Sequence, residues 1–428
     1  MLEKYKNNNI NISIIGLGYV GLPLAIEFGK YFNVCGFDVN SKRINSLKNR
    51  IDINSQVSKE YFLKSKYLNL SSDYKDLNSS NVYIITVPTP IYKNNIPNLS
   101  LIYKAIEMIT KCIKKNDLII LESTVFPGVT EDICGRLITK KTGFKLNKDF
   151  FMGYSPERIN PGDKKNNLVN IVKIVSGSDN KTLKFIYKLY SKIIKAGVYK
   201  VESIKIAEAA KVIENTQRDI NIAIMNEFSN IFDKININSN KIFKAASTKW
   251  NFLNFKPGLV GGHCIGVDPY YLSYIAKKNN YKPNLIESSR RINNSVPLLI
   301  FNKVIKETFK LEKINKKKYK SCLILGATFK ENCSDIRNSK IEDVFKKFKR
   351  RNFKVSIYDP VATKQDIKKK YKRNLITKLK FKYDIILLLV PHSNFKNLGI
   401  NKIKKLNNIN GFIFDYTFMF SNNQFIYK

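Results

Sequence analysis

A glycine-rich turn directly after a buried strand is the feature that most constrains this chain. Residues 10–16 read INISIIG, an apolar, β-branched run that predicts a strand inside a parallel sheet. The continuation GLGYVG places Gly16, Gly18 and Gly21 in the pattern G-x-G-x-x-G, and a helical stretch follows. The first glycine permits the tight turn, the second lets a pyrophosphate approach the backbone, and the third lets helix and strand pack closely. The segment therefore predicts a dinucleotide-binding α/β domain, although the glycines alone would also serve a simple turn.

A carboxylate at the end of the second predicted strand indicates which dinucleotide is bound. Asp38, in NVCGFDVN, follows the turn by about 20 residues, where a carboxylate accepts hydrogen bonds from both ribose hydroxyls. The same carboxylate repels a 2′-phosphate. The sequence therefore favours NAD over NADP, and the neighbouring Lys42 and Arg43 weaken that preference slightly.

Alternating strands and helices extend over most of the chain. Further buried strands are predicted at 81–88, 117–124, 170–177, 320–330, 353–360 and 383–391. Residues 203–235 contain neither Gly nor Pro and predict a long helix. We therefore expect an α/β fold in which two Rossmann-like, doubly wound domains are joined by a long central helix and a helical middle domain. The expected domains are 1–200, 201–312 and 313–428.

The long helix is apolar on more than one side. A helix of this kind between two halves of a chain commonly carries subunit contacts, so we expect a homodimer or a higher homo-oligomer. A helix buried inside a single chain fits the same periodicity.

The charge balance is strongly basic, with 75 Lys and Arg against 34 Asp and Glu and a net charge of +41. The lysines are spread along the whole chain, without an arginine-rich arm or a recognisable nucleic-acid motif. We therefore expect a solvated surface and no nucleic-acid partner.

Other bulk features bound the cellular context. There is no apolar run of about 18 residues and no signal-peptide pattern at the N-terminus, so we expect a cytoplasmic protein that does not bind membranes. The six cysteines form no C-x-x-C pair and the histidines number two, which argues for reduced thiols and no metal.

The segment LVGGHCIGVDPYY raises the question of whether Cys264 is a nucleophile or a small buried hydrophobe, which is the commoner role of a free cysteine. Gly261, Gly262 and Gly266 remove side chains around it, so that a substrate carbon could come close. The adjacent His263 would point away in an extended segment, and no Cys–His dyad is implied.

Several polar residues stand where ligands are expected. Lys211, Asn215 and Arg218 form one stripe of the long helix, which would ordinarily be a solvated face. Thr124 and Glu157 follow predicted strands, at the edge of the sheet where α/β proteins bind ligands. His392, in VPHSNF, is expected to be a loop histidine and not a catalyst.

Seven segments, in this order, resemble the UDP-glucose/GDP-mannose dehydrogenase family: GLGYVGLP, VPTP, LEST, YSPERINPGD, EAAKVIENTQRD, GGHCIGVDPYY and GATFKENCSDIRNS. They span nearly the whole chain. The resemblance is greatest to the branch that acts on UDP-N-acetylhexosamines, which contains the UDP-N-acetylglucosamine and UDP-N-acetylgalactosamine 6-dehydrogenases of capsule, Vi-type and O-antigen synthesis. It implies oxidation of the C6 alcohol of the sugar to a carboxylate by two successive NAD+, for surface polysaccharide synthesis, with a UDP-sugar-binding C-terminal domain.

The resemblance also implies roles for individual residues. It assigns the nucleophile to Cys264, the catalytic lysine to Lys211 and a positioning carboxylate to Asp268, supported by Thr124, Glu157 and Asn215. The implied cofactor contacts are Gly16, Gly18, Tyr19, Val20, Gly21, Asp38, Arg43, Thr89, Thr124 and Arg337. The implied substrate contacts are Glu157, Arg158, Ile159, Lys211, Asn215, Arg218, Gly261 and Lys330.

Two positions depart from the UDP-glucose branch. Pro161 stands where those enzymes carry a second glutamate, and Val267 stands where they carry a lysine. Both changes resemble the N-acetylhexosamine branch and make UDP-glucose a less favoured substrate than UDP-N-acetylhexosamines, with UDP-N-acetylmannosamine as an alternative.

Two rival interpretations stay open. A two-electron hydroxyacid or 6-phosphogluconate-type dehydrogenase would share the NAD domain and the long helix, but would yield one NADH per product and no acid. A non-catalytic protein that binds sugar nucleotides or nucleic acid would bind its ligand without producing NADH.

Overall fold

The computed structural model describes residues 10–53, 57–158 and 167–427. Among these, one unit comprises the residues up to Glu214 together with Tyr270–Tyr281, and the other comprises Asn215–Pro269 together with Lys282 onward. The boundary therefore falls inside the predicted long helix.

The first unit is built on an eight-stranded sheet. Its strands are β1 (Asn11–Ile15), β2 (Asn33–Phe37), β3 (Leu68–Ser71), β4 (Val82–Ile85), β5 (Asp117–Leu121), β6 (Phe150–Tyr154), β7 (Lys173–Gly177) and β8 (Val198–Lys200). Their order across the sheet is β3-β2-β1-β4-β5-β6-β7-β8. The strands from β3 to β6 are parallel, with Ile12 opposite Val34 on one side and Val82 on the other. This arrangement confirms the expected doubly wound sheet.

Strand β7 was predicted as a buried strand, and it runs antiparallel to β6, with Gly153 opposite Gly177. The hydroxyl of Ser176 donates to the carbonyl of Tyr154 at 2.9 Å, and the amide of Ser178 donates to the carbonyl of Met152 at 2.8 Å. A run of buried apolar residues shows that a strand is present but carries no information about its direction.

Helices of the first unit pack against this sheet. They are α1 (Gly21–Phe28), α2 (Ser41–Lys48), α3 (Lys59–Phe62), α4 (Ser100–Ile109), α5 (Arg136–Thr142) and α6 (Asn180–Ser191), with a π-helical segment at Val129–Gly135 before α5. Every residue of α1 is buried, because the helix lies directly on the core formed by Ile12, Ile14 and their neighbours. The glycine turn that precedes α1 is therefore anchored at both ends.

Helix α7 (Ile204–Lys234) has 31 residues and confirms the predicted long helix. It is followed by α8 (Ser239–Ala246), α9 (Asp268–Lys278) and α10 (Asn284–Asn315). Helix α10 continues through a buried Pro297, where sequence rules would end or kink a helix. These helices account for the expected helical middle region.

A five-stranded sheet forms the core of the second unit. Its elements are β9 (Ser321–Leu325), α11 (Ile341–Arg350), β10 (Lys354–Tyr358), α12 (Lys364–Tyr371), β11 (Tyr383–Leu388), α13 (Ser393–Leu398), α14 (Ile400–Lys404), β12 (Asn407–Asp415) and β13 (Phe425–Tyr427). The strand order is β10-β9-β11-β12-β13, parallel except for the last pair. This second Rossmann-like sheet was also predicted. Among the described residues, no helix is long and apolar enough to cross a bilayer.

Candidate active site

The turn after β1 has the geometry that a dinucleotide requires. Gly16 has a φ of +98°, which side-chain-bearing residues rarely adopt, and its amide donates to the carbonyl of Phe37 at 2.8 Å. The hydroxyl of Thr86 donates to the Gly16 carbonyl at 2.6 Å and fixes the turn from the β4 side. The backbone is thus held in place before any ligand arrives.

Glycine is favoured at the other two positions of the turn for different physical reasons. A Cβ at Gly21 would lie 1.9 Å from the carbonyl oxygen of Gly16, so the start of α1 touches the turn directly. A Cβ at Gly18 would meet nothing within 4 Å, which leaves open space beside the backbone. Val20, at the N-cap of α1, supplies no side-chain hydrogen bond to the first amides of the helix. Tyr19 and Val20 therefore stand at a helix N-terminus suited to a phosphate.

Asp38 follows β2 and faces the same turn. Its Oδ2 accepts from the amide of Leu17 at 2.9 Å, and its Oδ1 accepts from the amide of Asn40 at 2.9 Å. Arg43 is buried, with Nε donating to the carbonyl of Leu17 at 3.1 Å and Nη1 lying 2.7 Å from Asp52 Oδ1. These contacts hold the Arg43 guanidinium to the protein. Arg43 is therefore a weaker argument for a 2′-phosphate than the sequence alone suggested. The acid and the turn together fit NAD.

The polar residues that follow β4, β5 and β6 lie at the edge of the sheet where the strands end, as predicted for a ligand site. Thr89 offers its carbonyl to the hydroxyl of Tyr271 at 2.7 Å, and Thr124 is half-buried after β5. Glu157 is buried after β6, and its Oε1 accepts from the amide of Arg158 at 2.5 Å. The Arg158 guanidinium pairs with Glu214 of α7. Ile159 lies outside the described residues.

A buried ion cluster surrounds Glu157. The ammonium of Lys173 lies 2.6 Å from Glu157 Oε2 and 2.8 Å from Glu122 Oε2, and the hydroxyl of Tyr190 donates to Glu122. Burial alone would lower the pKa of Lys173, but the two carboxylates outweigh burial and raise it. Lys173 therefore stays charged and holds Glu157 in place.

Glu208 on α7 holds the loop that follows Thr124. Its carboxylate accepts from the amides of Gly128 at 2.6 Å and Thr130 at 2.9 Å, and from the Thr130 hydroxyl at 2.6 Å. Burial raises the pKa of Glu208 to about 7, partly offset by these hydrogen bonds. Lys211, nearly one turn further along α7, is also buried. The expectation that this stripe is a solvated face is therefore wrong for Lys211.

In the second unit, Cys264 lies in a turn of residues 262–267 and is exposed. Its carbonyl accepts from the amides of Val267 at 3.0 Å and Asp268 at 2.8 Å, so the turn leads directly into α9. The alternative that Cys264 is a buried hydrophobe is wrong. The residue is instead exposed to solvent.

Asp268 is buried at the first position of α9, and its Oδ2 accepts from the side-chain amide of Asn215 at 2.5 Å. Asn215 is itself buried, whereas Arg218 is exposed. The second unit thus pairs the Asp268 carboxylate, four residues after Cys264, with Asn215 of α7.

The residues before Cys264, at 258–262, are held by neighbouring elements of the same unit. Asn226 of α7 binds the backbone of Gly258 in both directions, at 2.9 and 3.0 Å. The amide of Gly262 donates to the carbonyl of Asn338 at 3.3 Å, and a Cβ at Gly262 would lie 2.6 Å from the ring of Phe329. A Cβ at Gly261 would lie 2.6 Å from that same carbonyl. These glycines are required by close approach of the loop 326–340.

His263 lies in the turn of residues 262–267 and not in the extended segment that we expected. Within the described residues its Nε2 is buried and has no hydrogen-bond partner. Burial, reinforced by the charge of Arg337, lowers the pKa of His263, so the ring is neutral near pH 7.

Two further predicted contacts lie after β9. Lys330 is half-buried, and Arg337 is exposed. The Arg337 guanidinium is paired with Asp335 through Nε at 3.0 Å and Nη2 at 2.6 Å. This pairing fixes the direction of Arg337 without covering it.

The structure thus groups Gly16, Gly18, Gly21 and Asp38 in one unit, and Asn215, Asp268, Cys264 and Gly261 in the other.

Sequence reasoning missed Lys173, Glu208 and Asn226. Glu208 stands within the quoted segment EAAKVIENTQRD, where a carboxylate among apolar helix residues was the available signal. Lys173 interrupts the buried strand NIVKIVSG in the same way. Among the described residues, no three His, Cys, Asp or Glu side chains are grouped as a metal ion would need.

The fold and these residues define a class: an α/β dehydrogenase with a dinucleotide turn in one unit and an accessible thiol in the other. Models of the UDP-glucose/GDP-mannose dehydrogenase family match the chain three times, with the NAD binding domain at residues 10–194, the central domain at 205–295 and the UDP binding domain at 323–422. The chain belongs to that family, which confirms the predicted family, an NAD-binding domain and an oxidoreductase.

Individual relatives cover nearly the whole chain. UDP-N-acetyl-D-glucosamine 6-dehydrogenase from Salmonella typhi is 48% identical over 398 residues, which is 93% of each chain. The protein of the same name from Pseudomonas aeruginosa is 44% identical over 412 residues, covering 96% of this chain and 97% of its own. The solved structure of UDP-D-ManNAc dehydrogenase from Pyrococcus horikoshii is 31% identical and superimposes with a TM-score of 0.80 over 95% of both chains.

A matched pair of glycine variants tests the dinucleotide turn. Gly21→Ala should lower the free energy of unfolding by about 3 kcal/mol, because its methyl group overlaps backbone. Gly18→Ala should unfold normally but bind NAD roughly tenfold more weakly, because its methyl group enters the open space beside the turn. Denaturant unfolding and calorimetric titration with NAD measure the two effects. Equal loss of stability in both variants would contradict the assignment.

Thiol labelling tests the exposure of Cys264. Burial raises the pKa of Cys35 to about 11 and of Cys134 to about 12, and also raises the pKa of Cys112, Cys322 and Cys333. Because the thiolate is the reactive form, a maleimide should modify Cys264 first in the native protein and all six cysteines after denaturation. Mass spectrometry of the native protein and of Cys264→Ser counts the labels. Rapid labelling of native Cys264→Ser would contradict the prediction.

Proposed function

We propose that this protein oxidises the C6 alcohol of a UDP-N-acetylhexosamine, GlcNAc or GalNAc, to the uronate with two NAD+ per sugar. The observation that carries the proposal is the exposed thiol of Cys264, in a glycine-lined turn one helical turn before the buried Asp268–Asn215 pair. Two relatives at 44–48% identity that are named UDP-N-acetyl-D-glucosamine 6-dehydrogenase support the choice of sugar. The product would serve surface polysaccharide synthesis, as the sequence resemblance implies.

The thiol explains how an alcohol can lose four electrons. Loss of hydride and a proton from the C6 alcohol gives an aldehyde, which has no second hydride to lose until a nucleophile adds. The thiolate of Cys264 adds to the carbonyl carbon, the C–S bond forms, and the oxygen becomes the oxyanion of a thiohemiacetal. Loss of a second hydride re-forms the C=O bond as a thioester. Water then adds to the thioester carbonyl and the C–S bond breaks. The carboxylic acid is released and the thiolate of Cys264 is regenerated.

Polar residues of the chain would assist each stage. The ammonium of Lys211 would stabilise the oxyanion, and the carboxylate of Asp268, oriented by Asn215, would take a proton from the attacking water. Glu157 is a second candidate for that proton, and Thr124 would order the water beside it. Because Lys173 is a cation 2.6 Å from Glu157, we favour Asp268 as the base.

NAD would be held by the glycine turn and Asp38, and when bound it supplies the hydride acceptor. The open space at Gly18 would admit the pyrophosphate, and Tyr19 and Val20 would contact it at the N-terminus of α1, where Val20 supplies no side-chain cap. The carboxylate of Asp38 would accept from the adenosine ribose. The remaining proposed contacts are Gly16, Gly21, Arg43, Thr89, Thr124 and Arg337.

The UDP-sugar would be bound by cationic and backbone groups. The match of residues 323–422 to a UDP binding domain supports a role for Lys330 at the diphosphate. The other proposed contacts are Glu157, Arg158, Ile159, Lys211, Asn215, Arg218 and Gly261.

We also propose that two copies associate through α7. The helix exposes large apolar side chains, which a soluble monomer rarely leaves in contact with water: Ile206, Ile213, Ile224, Phe228 and Ile231. Light scattering should give at least twice the mass of one chain, and Phe228→Asp should shift the protein towards a monomer. A monomer for the unmodified chain at micromolar concentration would refute this proposal.

Product stoichiometry tests the proposed reaction. With UDP-GlcNAc, UDP-GalNAc, UDP-ManNAc and UDP-glucose as a panel, an N-acetylhexosamine substrate should yield two NADH per sugar and a uronate. One NADH and no acid would support a two-electron dehydrogenase instead.

The Cys264→Ser variant tests the nucleophile. Net acid formation should fall by at least roughly a hundredfold, because a hydroxyl is a far weaker nucleophile than a thiolate at neutral pH, while UDP-sugar binding should be retained. Turnover to acid at the normal rate would remove Cys264 from the mechanism.

A further inference from the structure

We propose that His392 is a positioning residue for UDP-sugar binding, because its ring pins the loop that carries Lys330. The inference rests on the proposed function, in which Lys330 contacts the substrate. We call residues 326–333 the lysine loop. His392 lies in the loop between β11 and α13, as expected, and its side chain is fully buried.

Hydrogen bonds define the state of the ring. The amide of Asn332 donates to His392 Nδ1 at 2.9 Å, and because an amide can only donate, Nδ1 carries no proton. The proton of the ring is therefore on Nε2, which lies 3.1 Å from both Asp359 Oδ2 and the hydroxyl of Thr328. The histidine thus joins two points of the lysine loop to the end of β10.

The carboxylate of Asp359 fixes the first part of the lysine loop. Its Oδ2 accepts from the amides of Ala327 at 2.7 Å and Thr328 at 3.1 Å, in addition to His392. Burial raises the pKa of Asp359, but the hydrogen bonds from His392 and the backbone outweigh burial and bring the pKa below its ordinary value. Asp359 is therefore an ionised acceptor that orients the ring.

Lys330 lies between the two pinned points. The hydroxyl of Thr328 donates to the carbonyl of Lys330 at 2.9 Å. On the far side, Asn332 is held by His392 and exchanges two hydrogen bonds with Ser393, at 2.9 and 3.0 Å. The backbone on both sides of Lys330 is thus tied to the segment that starts α13, with His392 as the shared partner.

Phe329 extends this effect to the cysteine turn. A Cβ at Gly262 would lie 2.6 Å from the nearest carbon of the Phe329 ring. A lysine loop that moved would move Phe329, and with it the backbone next to His263 and Cys264. His392 therefore controls where the lysine is and constrains the glycines before the thiol.

Three variants separate positioning from general stability. His392→Ala removes the ring contacts with Asn332, Asp359 and Thr328, while His392→Asn keeps an acceptor close to the position of Nδ1. Asp384→Ala is the matched control, because this carboxylate makes four hydrogen bonds at the opposite end of the same sheet, with Lys320, Ser321 and Asn408. It should lower stability without moving the lysine loop.

The readouts are the dissociation constants of UDP and of NAD, both measured by calorimetry, and the KM for the UDP-sugar. In His392→Ala the UDP dissociation constant and the sugar KM should rise roughly tenfold, as expected for the loss of a buried hydrogen bond that orders a binding loop, while the NAD dissociation constant stays within about twofold. His392→Asn should recover part of the loss, and Asp384→Ala should bind UDP normally.

Each outcome decides a specific point. UDP affinity that falls no further in His392→Ala than in Asp384→Ala would overturn the inference, and so would an Asn variant that binds as weakly as the Ala variant. Failure of the unmodified protein to bind UDP would overturn the proposed function itself. If His392→Ala does not fold, the comparison of His392→Asn with Asp384→Ala still decides between the two roles.

Discussion

A carboxylate at the end of the second strand holds the turn after the first strand in both sheets, and both halves of the protein depend on this interaction. Asp38 accepts from the amide of Leu17 at 2.9 Å, and Asp359 accepts from the amide of Ala327 at 2.7 Å. Beside each contact, the glycine that begins the turn has a φ near +100° and donates to the last residue of the second strand. Parallel strands buried on both faces leave chemistry to the loops at their ends, so the shape of these two turns decides what each half can bind.

The two halves use the same interaction differently. Asp38 accepts two backbone hydrogen bonds, whereas Asp359 accepts four, from Ala327, Thr328, Val361 and Ala362, in addition to His392. A carboxylate with so many donors from the protein holds the backbone in place and is poorly suited to accept hydrogen bonds from a ribose. The Asp359 carboxylate is buried and engaged by donors of the protein itself.

The elements that sequence could predict were those set by local patterns. The strand–glycine–helix order at residues 10–28, the acid at Asp38 and the long α7 follow from short-range periodicity and spacing. The direction of β7 and the contacts of Lys173, Glu208 and His392 depend on residues far along the chain; Glu208 and Thr130, for example, are 78 positions apart. The exposure of Cys264 depends on the turn that precedes α9, and no local sequence pattern predicted that turn. These features belong to tertiary structure, where single residues pair across the sheet.

The close contact between Gly262 and the ring of Phe329 has a consequence for redesign. A methyl group at position 262 would lie 2.6 Å from the ring of Phe329, and Gly262 has a φ of +82°, which side-chain-bearing residues rarely adopt, so a smaller residue at position 329 would remove the clash but not the backbone strain. A library that diversifies position 262 alone would therefore return mostly glycine. Placing a side chain at position 262 therefore calls for a change in the backbone of the turn as well as a smaller residue at position 329.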